Sequence, residues 1–280
     1  MIVQAHFYDL RMKKLLYSIL IICLACVSVF AQKSVKAEPF RAGESLVYEG
    51  KFSKLLLRGI EVFDLSFSVE NISNSKNYLV KSEAKSKGTL SKLFGLKFNQ
   101  DIQSIISGEN FSILNTAKRD EQGDRVRESE AVFDYTEKKV TYVETDPNDM
   151  ARPPRRVASP IQKDTQDIIS GIYSIRRLPL AVGKTFELNI SDSGLVYKIP
   201  VRVTAREKQR SVLGKTWCFR IEPEVFGTNR LIEKDGGMIV WITDDARRLP
   251  VRAQIELDIG KFEVKLKQIN YKPPVVVKAK

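Results

Sequence analysis

Histidine is almost missing from this chain: His6 is the only one in 280 residues, and the cysteines number three, Cys23, Cys26 and Cys218. His6, Cys23 and Cys26 all precede residue 32, so everything after it has no histidine and a single thiol. That rules out Ser-His and Cys-His nucleophilic dyads and the usual histidine-containing zinc sites from the body of the chain. One thiol also rules out an intrachain disulfide there. The remaining 249 residues are long enough to bury a core without such staples. The expectation is a non-enzymatic protein with no cofactor and no metal centre.

Long apolar runs are also scarce. The longest, Leu15 to Val27, follows Lys13-Lys14 and precedes Val29-Phe30-Ala31. It is shorter than the roughly 20 residues that a membrane-spanning helix needs. A charged start, a short apolar stretch and small residues at a cleavage position read as a signal peptide over residues 1–31, with Met12 the natural start. The protein is therefore expected to be exported, to the periplasm or cell envelope of a Gram-negative-type bacterium. Two competing readings stay open: retention as an anchor, and lipidation at Cys26 after Ala25. Cleavage removes Arg11, Lys13 and Lys14 against Asp9, taking the formal charge from +12 to +10. An exported basic protein points to anionic partners such as lipid headgroups or envelope polymers. Export and the lack of any Gly-aromatic RNA-binding motif argue against nucleic acid.

What the chain does have is alternation. Phe63, Leu65, Phe67 and Val69 alternate with polar residues, as do Tyr197, Ile199, Val201 and Val203, and Val251 through Ile259. This is the period of half-buried antiparallel strands. Turn residues separate the runs at Asn74–Asn77, Asp120–Asp124, Asp192–Gly194 and Ile259–Lys261. About a dozen strands are expected, meandering between neighbours. The fold class is all-β, mainly antiparallel, as a large curled sheet or half-open barrel. Asp146 through Pro160, with four prolines, reads as a loop. Residues 165–178 read as the one principal helix: Ile168, Ile169, Ile172, Tyr173 and Ile175 recur at helical spacing, Arg176 and Arg177 come late, and Pro179 stops it. A shorter helical turn is expected at Thr89 to Phe94. Residues 43–271 form one domain, between loose tails at 32–42 and 272–280.

Several of these stretches resemble a known family. Asp167-Ile168-Ile169-Ser170-Gly171-Ile172-Tyr173-Ser174-Ile175-Arg176, then Leu180 and Gly183, then Val240-Trp241-Ile242-Thr243-Asp244-Asp245 and Leu249-Pro250-Val251 are similar to the exported bacterial family DUF3108. Gly43 to Tyr48 and Gly59 also resemble its first strands. The resemblance spans residues 43–270 and implies a β-rich envelope protein. It carries no assigned activity and no catalytic residues.

Four groups of residues are candidate sites. Asp244-Asp245 beside Arg247-Arg248 reads as a hairpin corner, because adjacent carboxylates on a tight turn cannot flank a substrate about 5 Å or more apart. Asp146, Asp149, Asp164 and Asp167 are weighed as a calcium cluster, but no glycine-punctuated calcium loop is present, and the favoured role of the latter two is to complement the helix dipole, with one of them capping the helix. Arg176 and Arg177, with Tyr173 and Trp241, are candidates to bind a ligand, the arginines by gripping an anionic headgroup. Leu55-Leu56-Leu57 between Lys54 and Arg58, together with Phe94 and the basic Arg152, Arg155 and Arg156, are candidates for membrane or partner contact. For the leucines, burial on both faces of a strand is the favoured alternative. The leading expectation is a peripheral envelope protein that binds a lipid or amphipathic molecule. An adaptor for another envelope protein and a carboxylate-dependent glycan hydrolase remain the alternatives.

Overall fold

The computed structural model describes residues 41–89, 92, 95–272 and 276–277. The expected leader of residues 1–31, with Met12 and Cys26, lies outside the described residues, as do Leu90, Leu93 and Phe94. In chain order the first eight strands are β1 (Glu44–Lys54), β2 (Leu57–Ile72), β3 (Tyr78–Ser86), β4 (Phe98–Ile106), β5 (Ile113–Gln122), β6 (Arg125–Asp134), β7 (Lys139–Thr145) and β8 (Arg155–Pro160). The short β9 (Gln166–Asp167) leads into the helix α1 (Ile168–Arg177). Then follow β10 (Thr185–Asp192), β11 (Leu195–Ser211), β12 (Gly214–Pro223), β13 (Gly237–Thr243), β14 (Pro250–Leu257), β15 (Gly260–Tyr271) and β16 (Val276–Val277).

Local turn chemistry explains most of the topology. Two-residue connections join β1 to β2, β5 to β6, β10 to β11, β11 to β12 and β14 to β15. Such short turns force each strand to return antiparallel beside its predecessor. One long-range pairing completes the sheet, β1 against β15, with Ser53 opposite Lys261 and Glu44 opposite Tyr271. The resulting path runs from β8 through β1 and β15 to β9, so its two free ends are consecutive in the chain. This is one curled sheet, open along the line between β8 and β9.

The curl holds α1 inside it. Asp167 caps the helix in a reciprocal box with Ser170, accepting from its backbone N–H at 2.6 Å, while Ser170 Oγ accepts from the Asp167 N–H at 3.0 Å. The same carboxylate accepts from Thr116 Oγ1 at 2.6 Å and from Ser104 Oγ, which fixes the helix start to β5 and β4. Ile169 and Tyr173 pack in one apolar cluster with Leu46, Phe67, Ile102 and Val264. Ile168 and Ile175 pack against a second, built on Ile190, Val201, Phe219 and Ile242. A helix that is buried on opposite sides is what a sheet with an unfilled interior accommodates.

Three expectations need correction. Arg155 to Pro160 is strand, not loop: Pro153-Pro154 ends the turn, and β8 then pairs with β7, with Tyr142 opposite Val157. Proline is tolerated there because β8 is an edge strand and Pro160 is its last residue. Leu55, Leu56 and Leu57 are not buried but exposed, since the strand turns at Leu55-Leu56 and leaves no second layer to cover them. Val276-Val277, within the expected loose tail, pairs parallel with Asn71 and Ile72, beyond the first β1–β2 pair, Ser45 with Ser68.

Across the open seam, the tip of the β10–β11 hairpin touches β7 and β8. Gly194 has φ +82°, and a Cβ there would lie 2.6 Å from Tyr142 Cβ and 2.8 Å from Val157 Cβ. Gly123, at the β5–β6 turn, has a similar φ of +59° with nothing within 4 Å. Gly194→Ala is therefore expected to destabilise the fold by about 2–4 kcal/mol, and Gly123→Ala by only about 1 kcal/mol. Urea unfolding of both variants checks this, since equal losses would mean that the seam contact contributes nothing.

Candidate functional site

At its C-terminal end α1 is fastened by a buried ion pair. Arg176 donates to both carboxylate oxygens of Glu44, at 2.7 and 3.0 Å, and to the Arg247 carbonyl at 3.0 and 3.3 Å. Both side chains are almost wholly buried. Burial alone would weaken the charge on Arg176. The hydrogen bonds and charge of Glu44 more than offset this and hold its pKa above the ordinary value. Tyr173 lies under the same guanidinium, 5.1 Å from ring centre to Cζ, and meets Phe67 edge to face. Burial pushes the phenol pKa of Tyr173 and Tyr48 far up, and Tyr48 donates to the Pro250 carbonyl at 2.9 Å.

Two chambers flank the helix. One, of about 480 Å³, is walled by α1 (Ile168, Ile172, Tyr173, Ile175), by β10–β14 and by the connection carrying Val225, Leu231 and Ile232. Of all its wall residues only Arg176, Asp192 and Arg252 are charged. The other, of about 350 Å³, lies toward β3–β6 and has a mixed wall, with Ser82, Gln100, Thr116, Lys118 and Ser129 beside Ile102, Ala131 and Phe133. Leu65, Phe67, Ile168, Ile172 and Asp192 border both. An apolar chamber adjoining a polar one can take a molecule with an apolar part and a polar part.

The structure separates the sequence candidates. Arg176 and Tyr173 border the apolar chamber, but the guanidinium is committed to Glu44 and so is not a free headgroup clamp. Arg177 is exposed and stacks on Phe111 at 4.4 Å, and desolvation there lowers its pKa. Trp241 is buried between two residues that do line the chamber, Val240 and Ile242, without lining it itself. Its indole N–H donates to Glu207, and Arg252 lies over the ring at 4.6 Å. Arg152 pairs loosely with Asp146, Arg155 lies over Tyr142, and Arg156 is exposed on β8.

The acids weighed for calcium have separate partners. Asp146 binds Arg127, Asp164 accepts from Asn189 Nδ2 at 3.1 Å, and Asp167 caps α1. No group of three or more potential metal ligands occurs among the described residues. The Asp244–Leu249 stretch is the β13–β14 corner. Asp245 accepts from the Arg247 and Arg248 backbone at 3.0 and 3.2 Å and from Thr243 Oγ1 at 2.8 Å, and Asp244 binds Arg206 and Arg248.

Sequence reading missed the polar wall. Its signal was present: Ser82, Gln100, Thr116, Lys118 and Ser129 sit on the inward phase of their strands, in cross-strand register as Ala84–Gln100, Ile102–Lys118 and Lys118–Ser129. Polar residues on both phases of a strand hide which phase faces in.

Comparison with known proteins agrees with this architecture. A crystal structure of a β-barrel-like protein of domain of unknown function DUF1849 from Brucella abortus superposes with TM-score 0.54 at 8% identity, covering 82% of this chain and 98% of that one. At that identity the likeness shows the fold alone. A DUF1089 family protein from Pseudomonas aeruginosa gives TM-score 0.37 at 13% identity, over 71% of this chain and 92% of its own. No curated protein matches the chain. A family model described as protein of unknown function (DUF3108) matches residues 47–267.

Two outcomes test this picture of the site. Glu44→Ala strands the buried guanidinium and is expected to cost about 3–5 kcal/mol, whereas the paired Glu44→Leu/Arg176→Met variant is expected to be close to neutral. Denaturant unfolding separates the two. Cys218 is buried, and desolvation pushes its thiol pKa up to about 11. At pH 8 the folded protein should thus resist iodoacetamide over a period in which the urea-unfolded protein is fully labelled, as followed by intact mass.

Proposed function

Given that the chain belongs to the DUF3108 family, whose description assigns no activity, we propose from the site itself that it is a non-enzymatic binding protein. It holds a lipid or similar amphipathic molecule of the cell envelope inside the curled sheet, to which its leader exports it. The observation that carries this reading is the pair of adjoining chambers, one apolar at about 480 Å³ and one mixed at about 350 Å³, on the two sides of α1. The apolar part of the ligand lies among Ile172, Ile190, Val201 and Val240, and its polar part faces Gln100, Thr116, Lys118 and Ser129. Volumes of this order suit a small ligand largely removed from water.

Carboxylate chemistry has less support. The carboxylates on the chamber walls are Asp167 and Asp192. Asp167 already accepts from Ser170, Thr116 and Ser104, which is the work of a helix cap. The adaptor reading keeps one observation in its favour: β8 ends the sheet path with an unpaired edge, at which a partner strand could add. Its short length and terminal Pro160 weaken it as a template.

Native mass spectrometry of protein purified from its own cells, followed by solvent extraction, is expected to release one amphipathic molecule per chain. Val240→Trp, which narrows the apolar chamber without touching the Glu44–Arg176 pair, should fold and lose that mass. A ligand-free wild-type protein that also takes up no added lipid would overturn the reading and direct attention to the β8 edge.

A further inference from the structure

Hairpin topology gathers a greasy, basic rim at one end of the sheet. β1, β3 and β14 all run toward this end, so the β1–β2, β3–β4 and β14–β15 connections all lie there. They are also physically joined. Lys54 Nζ donates to the Asp258 carbonyl at 3.1 Å, the Lys87 N–H donates to the Val62 carbonyl at 2.7 Å, and the Lys87 ammonium binds Glu61 at 3.0 Å. At this rim Leu55 is 87% exposed, Leu56 98%, Leu96 54% and Ile259 52%.

Neither packing nor backbone geometry accounts for leucine at the tip. Leu55 occupies one of two turn positions with φ +49°, a conformation in which glycine or asparagine is the low-energy choice. Leu56 touches almost nothing and so contributes no burial to the folded state. The residues around the tip add an excess of positive charge. Lys54 and Arg58 flank the leucines, Lys92 and Lys97 follow in the next connection, and Arg58 and Lys92 form no ion pair among the described residues. Of the nearby acids, Glu61 binds Lys51 and Lys87 and Asp64 binds Lys87, while the exposed Asp258, which forms no ion pair among the described residues, stands against Lys54, Arg58, Lys92 and Lys97. A second copy of this chain would bring the same cations face to face. An anionic bilayer offers them counter-charges, and its interface offers the leucines an apolar phase.

We propose that the β1–β2 tip, with Leu55 and Leu56 inserted and Lys54 and Arg58 on the headgroups, docks this protein on an anionic lipid surface. Docking through this tip is independent of whether the chambers are occupied. It brings the same end of the sheet that carries Met238 and Ile255, two walls of the apolar chamber, toward the membrane.

The test is vesicle co-sedimentation, using protein purified from cells that express the full-length chain, with its N-terminus defined by intact mass. Vesicles of phosphatidylethanolamine with phosphatidylglycerol are compared with vesicles of neutral phosphatidylcholine. Wild type should bind the anionic vesicles and lose binding as salt rises. Leu55→Asn/Leu56→Gly should bind them about tenfold or more weakly. The same variant should melt at an equal or higher temperature, because it relieves the turn. Lys54→Gln/Arg58→Gln should weaken binding and flatten the salt dependence. Equal binding by wild type and the leucine variant overturns the proposal. So does binding indifferent to lipid charge, or a wild-type dimer that the leucine variant abolishes in analytical ultracentrifugation, which would make the tip a self-association surface.

Discussion

A curled sheet whose hydrogen-bonded path runs through fifteen strands encloses more space than its own inward side chains fill, and that excess volume governs the molecule. Leaving it empty forfeits contacts on every inward residue; flooding it wets an apolar surface. The chain answers by sending α1 into the interior between the two free ends of the sheet. The helix arrives with polar ends that must be satisfied in the dark. At its start, Asp167 supplies the cap and is itself held by hydroxyls from β4 and β5. At its end, Arg176 meets Glu44 at the start of β1. Such a pair is a weak source of net stability, but once formed it fixes where the helix stands, because moving either charge exposes an unpaired partner.

Because α1 fills only part of the space, the interior is left in two portions of different character. The side toward β10–β14 receives branched aliphatic residues. The side toward β3–β6 receives hydroxyls, an amide and a lysine. The asymmetry follows from strand composition. In β11 and β13 the positions facing the chamber are Ile199, Val201, Met238, Val240 and Ile242, whereas β4, β5 and β6 present Gln100, Thr116, Lys118 and Ser129 beside Ile102, Ala131 and Phe133. The binding reading grows from this division, and it needs no reactive side chain.

The two ends of the sheet also differ. The end near Glu44 and Arg247 is closed by the C-terminus of α1 and the Asp244–Leu249 corner. The opposite end carries the exposed leucine turn and its cations. Positive φ is taken by Gly123 and Gly194 but also by Phe111, Lys138, Ser193 and Arg248, so what sets the leucine turn apart is that Leu55, at φ +49°, and Leu56 are 87% and 98% exposed. Departures of this kind are expected where something other than folding has selected the residue.

Some of this was already settled by the sequence. Period-two alternation and two-residue turns determine that the chain is an antiparallel meander, since both are local properties of a few consecutive residues. A helix over residues 165–178 with a cap at Asp164 or Asp167, and the hairpin corner at Asp244-Asp245, are local in the same sense; the structure starts the helix at Ile168 and gives the cap to Asp167. The lack of histidine and of a second thiol after residue 32 is a matter of composition alone. What only the tertiary structure decided are pairings between residues far apart in the chain. The closure of β1 on β15, the Glu44–Arg176 pair across 132 positions and the split of the interior into two chambers are of this kind. Arg176 shows why. On the helix alone it is a late basic residue that complements the helix end and is free to take an anion. Only the fold brings Glu44 to it, and a carboxylate within 3 Å in a buried site outcompetes any other role. Leu55–Leu57 shows the converse. Three apolar residues in a row read as buried, and only the register of β1 with β2 places them at an exposed turn.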